Sequence, residues 1–155
     1  MTNLSRKARY ALRALYALAG DDARGPVLIA DLAEREKIPR KFLEAILLEL
    51  KNAGILKSKK GKGGGYALAR APEQITIGQV VRIIDGPLAP IPCASERAFV
   101  KCDECVDEAT CGTRQVMKRV RDAIATILDG TTLADVQTQI ARARLSTGTP
   151  VTYSI

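Results

Sequence analysis

The sequence predicts a mainly α fold carrying a small β-hairpin wing, arranged as a winged helix-turn-helix domain with a long helix behind it. Three observations predict this. Apolar residues recur at three and four through several capped segments of the 155-residue chain. A loop rich in Gly and Lys joins two short apolar segments in ILKSKKGKGGGYALAR, residues 55–70. Positive charge is concentrated at the front: residues 1–70 hold 15 Lys+Arg against 7 Asp+Glu, whereas residues 71–155 hold 9 against 10.

The elements follow in order. Over residues 5–20, Ala8, Ala11, Leu12, Leu15, Leu18 and Ala19 form one stripe, with Ser5 as a cap and Gly20 as a stop. Residues 21–26 read as a turn and residues 29–36 as a short second helix, which ends before Pro39 because a proline ring disfavours helical geometry in the residue preceding it. Pro39 suits the first turn of a third helix, along which Leu43, Ile46, Leu47 and Leu50 make a single apolar line until Gly54 closes it. Residues 55–58 and 66–69 read as two strands, and the glycines between them permit the positive φ angles of a tight hairpin. Thr76 and Gln79 have capping-box spacing and open a helix that ends at Asp85 and Gly86. A Pro-rich stretch then leads to Cys93, Cys102, Cys105 and Cys111. Val116, Val120, Ile124, Ile127 and Leu128 line one side of a long helix running to Asp129, and Leu133 begins a last helical segment.

Composition narrows the function. A formal net charge of +7, carried by the front half, favours a polyanionic partner, because Lys and Arg that bind phosphates release condensed counterions; a solubilising surface is the plain alternative. No stretch approaches the ~20 apolar residues that cross a bilayer, and residues 4–20 lack the uninterrupted apolar run of a signal peptide, so a cytoplasmic protein with no membrane partner is expected. Cysteines there stay reduced, which turns four clustered thiols toward metal binding or redox sensing. An enzyme is not expected: the chain has no His to act as base, and no Ser or Cys nucleophile has an evident activating partner.

Helix two, a tight turn and helix three are the order of a helix-turn-helix, whose second helix enters the major groove by its N-terminal end. Arg40 and Lys41 are placed there to reach guanine edges or phosphates, and Glu44 to accept from a cytosine amino group. A solvated helix face explains those charges equally well until the wing is counted. Lys57, Lys59, Lys60 and Lys62 on that hairpin suit a phosphate backbone or a minor groove. A nucleotide-binding loop is excluded, because the order G-x-x-x-x-G-K-[ST] is absent.

RYAL at residues 9–12, KIPRKFLEAILLELKNAGIL at residues 37–56 and the GKGGGYALAR wing together resemble the IscR/NsrR/CymR-type family of small bacterial winged helix-turn-helix transcriptional regulators, which sense through iron–sulfur clusters or thiols. The resemblance runs through the cysteine loop to the neighbourhood of Val136. It implies a homodimer on a palindromic double-stranded DNA operator, the long helix serving as the dimerisation helix with Val116, Val120, Ile124, Ile127 and Leu128 as its seam; packing against the chain's own first helix is the alternative. The implied organisation is a DNA-binding domain over 1–86, a sensor loop over 87–110, the dimerisation helix and terminal segment over 111–144, and a flexible tail over 145–155.

The cysteine spacing is C-x8-C-x2-C-x5-C. Four thiolates can complete the coordination of an iron–sulfur cluster or of zinc, and spacing alone does not choose between them or thiol chemistry without metal. IscR-like and NsrR-like members hold a cluster through three cysteines and a non-cysteine ligand, and the resemblance matches those three cysteines to Cys93, Cys105 and Cys111. The fourth position departs from the pattern: Arg114 stands where IscR-like members have His, and Arg9 where NsrR-like members have an acid, which leaves Cys102 to complete an all-thiolate set. The resemblance thus implies a regulator whose operator affinity is set by the occupancy of that loop.

Overall fold

The computed structural model describes residues 3–21 and 24–147. Within them the order is α1 (Arg6–Gly20), α2 (Ile29–Glu36), α3 (Arg40–Asn52), β1 (Leu56–Lys59), β2 (Gly65–Leu68), α4 (Ile77–Asp85), α5 (Gly112–Asp129) and α6 (Leu133–Ser146).

Ser5 caps α1 by accepting from the Ala8 amide, and its own amide and hydroxyl both donate to Asp85 at the end of α4, so the start of one helix is tied to the end of another. The apolar stripe of α1 is buried as its spacing requires, with Ala11, Ala14 and Leu15 fully enclosed. Helix α2 ends at Lys37, whose left-handed φ of 52° lets its amide reach the Ala33 and Glu34 carbonyls. Left-handed backbone costs a non-glycine residue ~1 kcal/mol, but it turns the chain within three residues into α3. Pro39 occupies the cap before α3 rather than its first turn. The helix gains there because the Pro39 carbonyl accepts from the Leu43 amide. Leu43, Ile46, Leu47 and Leu50 are fully buried.

Gly54, at φ 75°, releases the chain into the hairpin. The two strands pair antiparallel in the register Leu56↔Leu68, Lys57↔Ala67, Ser58↔Tyr66 and Lys59↔Gly65. They sit one residue off the sequence reading on each side, which shortens the tip to residues 60–64. A third segment braces them: Val27 and Tyr66 exchange both backbone hydrogen bonds at 2.8 Å. This contact explains Gly65, since a Cβ there would collide with the Val27 carbonyl, and Gly64, whose Cβ would collide with the carbonyl oxygens of Lys59 and Gly61.

Helix α4 opens with the capping box expected from Thr76 and Gln79. The starts of α4 and α6 are tied together, because the Ile77 amide donates to the Thr131 carbonyl and the Leu133 amide donates to the Ile75 carbonyl, and Leu133 is fully buried in the same core as α1 and α3. Gln137 then donates to the Tyr16 carbonyl at 2.6 Å, holding α6 along α1. Helix α6 extends through Ser146, two residues into the segment read as a tail, because Thr132 and Asp135 form a capping box that starts it and the Thr147 amide closes its last turn. Residues 148–155 of that predicted tail lie outside the described residues. Among the described residues no helix is long and apolar enough to cross a membrane.

Candidate nucleic-acid interface and cysteine loop

Helix α3 buries one line of side chains, which leaves its N-terminal outer face to solvent: Arg40, Lys41, Phe42, Glu44 and Ala45 are all exposed. Arg40 Nε donates to Glu44 Oε1 at 3.2 Å across one helical turn. The pair places a guanidinium and a carboxylate side by side, the two groups that read a guanine and a cytosine edge respectively. A residue the sequence reading missed supports this end of the helix. Tyr10 of α1 meets the Phe42 ring edge-on at 5.6 Å, and the Arg13 guanidinium lies over Tyr10 while also donating to the Glu36 carbonyl at the end of α2. The i, i+3 spacing within RYALR was the available signal.

Lys57, Lys59, Lys60 and Lys62 are exposed along and beyond β1, and among the described residues none of them forms an ion pair. A hairpin tip that keeps its cationic charge unpaired gains little for folding and much for contact with phosphates.

The cysteine loop is built from the opposite end of the chain. A short 3-10 turn, Pro92–Ala94, buries Cys93 and Ala94. The chain then runs through exposed residues, including Cys102, to Cys105, and reaches Cys111, which caps α5 by accepting from the Arg114 amide at 3.5 Å. Cys102 and Cys105 belong to one turn, closed by the Cys105 amide on the Cys102 carbonyl at 3.1 Å. Partial burial, followed by the neighbouring Cys111, pushes the Cys105 thiol up, with Glu108 and Cys102 adding to the shift and Lys101 opposing it. Asp107 turns inward on its own loop: hydrogen bonds from the Thr110 hydroxyl and the Ala109 amide hold its carboxyl below the usual range.

Thiols of this number are the soft donors that iron–sulfur clusters and zinc take. Their placement does not preassemble a centre. All four are free thiols, Cys93 is buried while Cys102 is exposed, and among the described residues no three His, Cys, Asp or Glu side chains converge as a metal site. The expected four-cysteine ligand set therefore matches the chemistry of such a group but not, as folded here, its geometry. Arg114 lies beside this segment: its Nε donates to the Cys93 carbonyl at 2.9 Å, its Nη1 donates to the Glu108 carbonyl at 3.4 Å, and its guanidinium lies 5.5 Å from the Phe99 ring centre.

Helix α5 carries the predicted seam and divides it. Ile124 and Leu128 are partly buried and pack against the core cluster, together with Leu4, Ile77 and Val81 around an apolar hollow. Val116, Val120 and Ile127 are exposed, and no residue of this 18-residue helix is buried. A polar contact adds to that packing: Arg82 of α4 grips Asp129 through two hydrogen bonds at 2.5 and 2.8 Å, which lowers the aspartate pKa and raises that of the arginine. Gly78 makes that grip possible, because a Cβ there would lie 1.9 Å from Asp129 Oδ1.

Comparison with known proteins bears on both halves. A family profile described as "Rrf2: Iron-dependent Transcriptional regulator" matches residues 4–139. A putative HTH-type transcriptional regulator, rrf2-like, from Rhodobacter capsulatus is 42% identical over 136 residues, covering 86% of this chain and 91% of that protein. Among solved structures, CymR, the global cysteine regulator of Bacillus subtilis, superimposes with a TM-score of 0.74 at 33% identity, covering 90% of this chain and 98% of CymR. T. potens IscR superimposes with a TM-score of 0.71 at 31% identity, covering 92% of this chain and 90% of IscR.

Proposed function

The chain belongs to the Rrf2 family of transcriptional regulators, and from that premise we propose that it binds a palindromic double-stranded DNA operator as a homodimer, under the control of its cysteine loop. The observation that carries the reading is the exposed end of α3 beside a wing of four unpaired lysines. In this reading Arg40, Lys41 and Glu44 address base edges in the major groove, while Lys57, Lys59, Lys60 and Lys62 hold the backbone on either side. A helix with no buried residue and an apolar edge left exposed at Val116, Val120 and Ile127 supports the dimer. Val116, Val120 and Ile127 would meet their symmetry mates, with Ile124 and Leu128 behind them, and twofold symmetry would then set the half-site spacing.

For the control element we propose an iron–sulfur cluster drawn to Cys93, Cys105 and Cys111, with Cys102 completing the thiolate set. The soft donors and the iron-dependent description of the family support this. A resident cluster would supply a redox-sensitive and nitric-oxide-sensitive group. This chain's own part is to bring the thiols together, which requires the exposed Cys102–Cys105 turn to close over the helix start. Zinc in the same thiols is the metal alternative. The separated thiols favour a second reading, in which oxidation or modification of cysteine acts without metal.

Binding at the loop and binding to DNA then influence each other reciprocally. The test is anaerobic purification with iron, sulfide and zinc analysis, followed by operator titration of the wild type and of Cys105→Ser. Iron and sulfide lost in the variant together with a changed operator affinity would support the cluster. A colourless protein whose operator affinity ignores both iron supply and oxidants would remove sensing while leaving DNA binding intact.

A further inference from the structure

The 3-10 turn that carries Cys93 is not held by the apolar core alone. Two consecutive carbonyls, those of Cys93 and Ala94, each accept a hydrogen bond from an arginine of α5: Arg114 Nε at 2.9 Å and Arg121 Nη1 at 2.6 Å. The two arginines are seven residues apart, so they share a helix face and stand roughly 10 Å apart along the axis. The carbonyls they grip belong to adjacent residues, whose Cα atoms are only about 3.8 Å apart. The two side chains therefore reach toward each other and close on one segment from opposite ends. Each is also braced from outside. Arg114 lies against Phe99 and reaches the Glu108 carbonyl, while Arg121 pairs with Asp122 at 2.5 Å and Glu96 at 3.2 Å and is only 13% exposed.

We propose that Arg114 and Arg121 are positioning residues of the control loop, which fasten the Cys93 segment to α5 so that a chemical change at the loop thiols moves the helix rather than dissipating in the loop. This rests on the reading of the cysteine loop as the control element. Guanidinium groups suit the task, because they stay protonated at every working pH and their rigid fork holds several acceptors at once; a lysine in either place keeps the charge and loses the fork. The grip also explains why Cys93 is the buried thiol of the four while Cys102 is exposed. Helix α5 is in turn coupled to α4 through Arg82 and Asp129, and α4 is coupled to the start of α1 through Asp85 and Ser5. A displaced Cys93 segment thus has a continuous polar path to the domain that carries α3.

The experiment uses the full-length chain and the variants Arg114→Gln, Arg121→Gln and the pair combined, with N-ethylmaleimide as the probe. Labelling of each cysteine is followed by mass spectrometry, and operator affinity is measured before and after treatment. In the wild type Cys93 should label last; either single variant should accelerate it by about tenfold, the consequence of losing one charge-assisted hydrogen bond. The combined variant should gain less than the product of the two, as expected of groups that act on one segment. Untreated operator affinity should stay within about twofold of wild type, because neither residue belongs to the DNA-facing surface, while the change in affinity on labelling Cys102 and Cys105 should disappear. Cys93 protection that persists in both variants overturns the proposal. A variant that labels quickly only because it has unfolded is recognised by its lost helical signal, and Arg114→Lys, which keeps the charge, should then show intermediate protection in a folded chain. A wild-type protein whose operator affinity ignores labelling overturns the sensing reading, whereas the Cys93 rates still decide whether the arginines hold that segment.

Discussion

Replacing Gly78 with alanine should destabilise this protein, against the usual rule for a helix. Glycine inside a helix costs ~0.5–1 kcal/mol relative to alanine, so the substitution would ordinarily stabilise by that amount. Gly78 lies in the first turn of α4 with an ordinary helical φ, and its missing side chain is where Asp129 passes. An added Cβ would lie 1.9 Å from Asp129 Oδ1 and 3.0 Å from Arg82 Nη1, so the carboxylate must retreat by about 1.5 Å to reach van der Waals contact. Both hydrogen bonds to Arg82, at 2.5 and 2.8 Å, are then lost. A two-pronged charge-assisted pair contributes roughly 1.5–3 kcal/mol when sheltered, and with the Asp129 side chain 45% exposed the lower end applies. The loss exceeds the helix-propensity gain by about 0.5–1 kcal/mol, a fall in Tm of about 1–4 °C for a chain of this size. Urea and thermal melts at one fixed protomer concentration measure it. The decisive comparison is the same substitution in an Asp129→Ala background, where only the far end of the released Arg82 side chain lies near the methyl group and Gly78→Ala should stabilise by ~0.5–1 kcal/mol. An increase in Tm in the wild-type background, or an identical effect in both, would refute the account of α4 and α5 given above.

Replacing Lys59, Lys60 and Lys62 together with alanine should weaken operator binding and flatten its dependence on salt by about 0.9 in log–log slope per lost phosphate contact, measured by fluorescence anisotropy on a labelled duplex at several salt concentrations. An unchanged slope would mean that the wing does not touch phosphates. Gly65→Val should detach the hairpin from Val27 and lower operator affinity while leaving the helical circular dichroism intact; retained affinity would show that the brace is dispensable. Val120→Glu and Ile127→Glu should each convert the dimer to monomer in analytical ultracentrifugation, and a dimer that survives both places the seam elsewhere. The Arg82 hydrogen bonds hold the Asp129 carboxyl below its ordinary value, so its contribution to stability is complete above about pH 4 and is lost as the pH falls through the lower folded value. The stability difference between wild type and Asp129→Asn should therefore be constant from pH 5 to 7, by this linkage, and shrink toward zero only below about pH 4.

Much of residues 1–86 was legible because the signals there are local. The stripes of α1 and α3, the Thr76–Gln79 box and the glycine-rich hairpin each lie within one turn or one loop of sequence, where spacing determines which face is apolar. The misreadings have a common cause. Val27 pairs with Tyr66 across almost forty residues, and nothing in the turn around Pro26 advertises a strand. Lys37 takes a left-handed angle usually left to glycine because its amide closes α2, a demand set by where α3 must begin. Leu133 reads in the sequence only as the start of a last helical segment, yet it is fully buried in the core.

The cysteine loop was the least legible part, for a chemical reason. Spacing reports which thiols share a stretch of chain, whereas ligation depends on where their sulfurs meet, and here the segment of the buried thiol is bonded to side chains of another element. In the sequence Arg121 is a charge on a helix face, indistinguishable from Lys118 or Arg119, and Arg114 stands out only as the residue in place of the His of IscR-like members. Only the fold shows that Arg114 and Arg121 turn inward onto the Cys93 and Ala94 carbonyls. If those hydrogen bonds hold the buried thiol apart from the other three, closing the loop around any centre must work against them. The strength of the arginine grip would then set how readily the loop responds, and weakening it should make the thiols easier to bridge while making the bridge less consequential for α5.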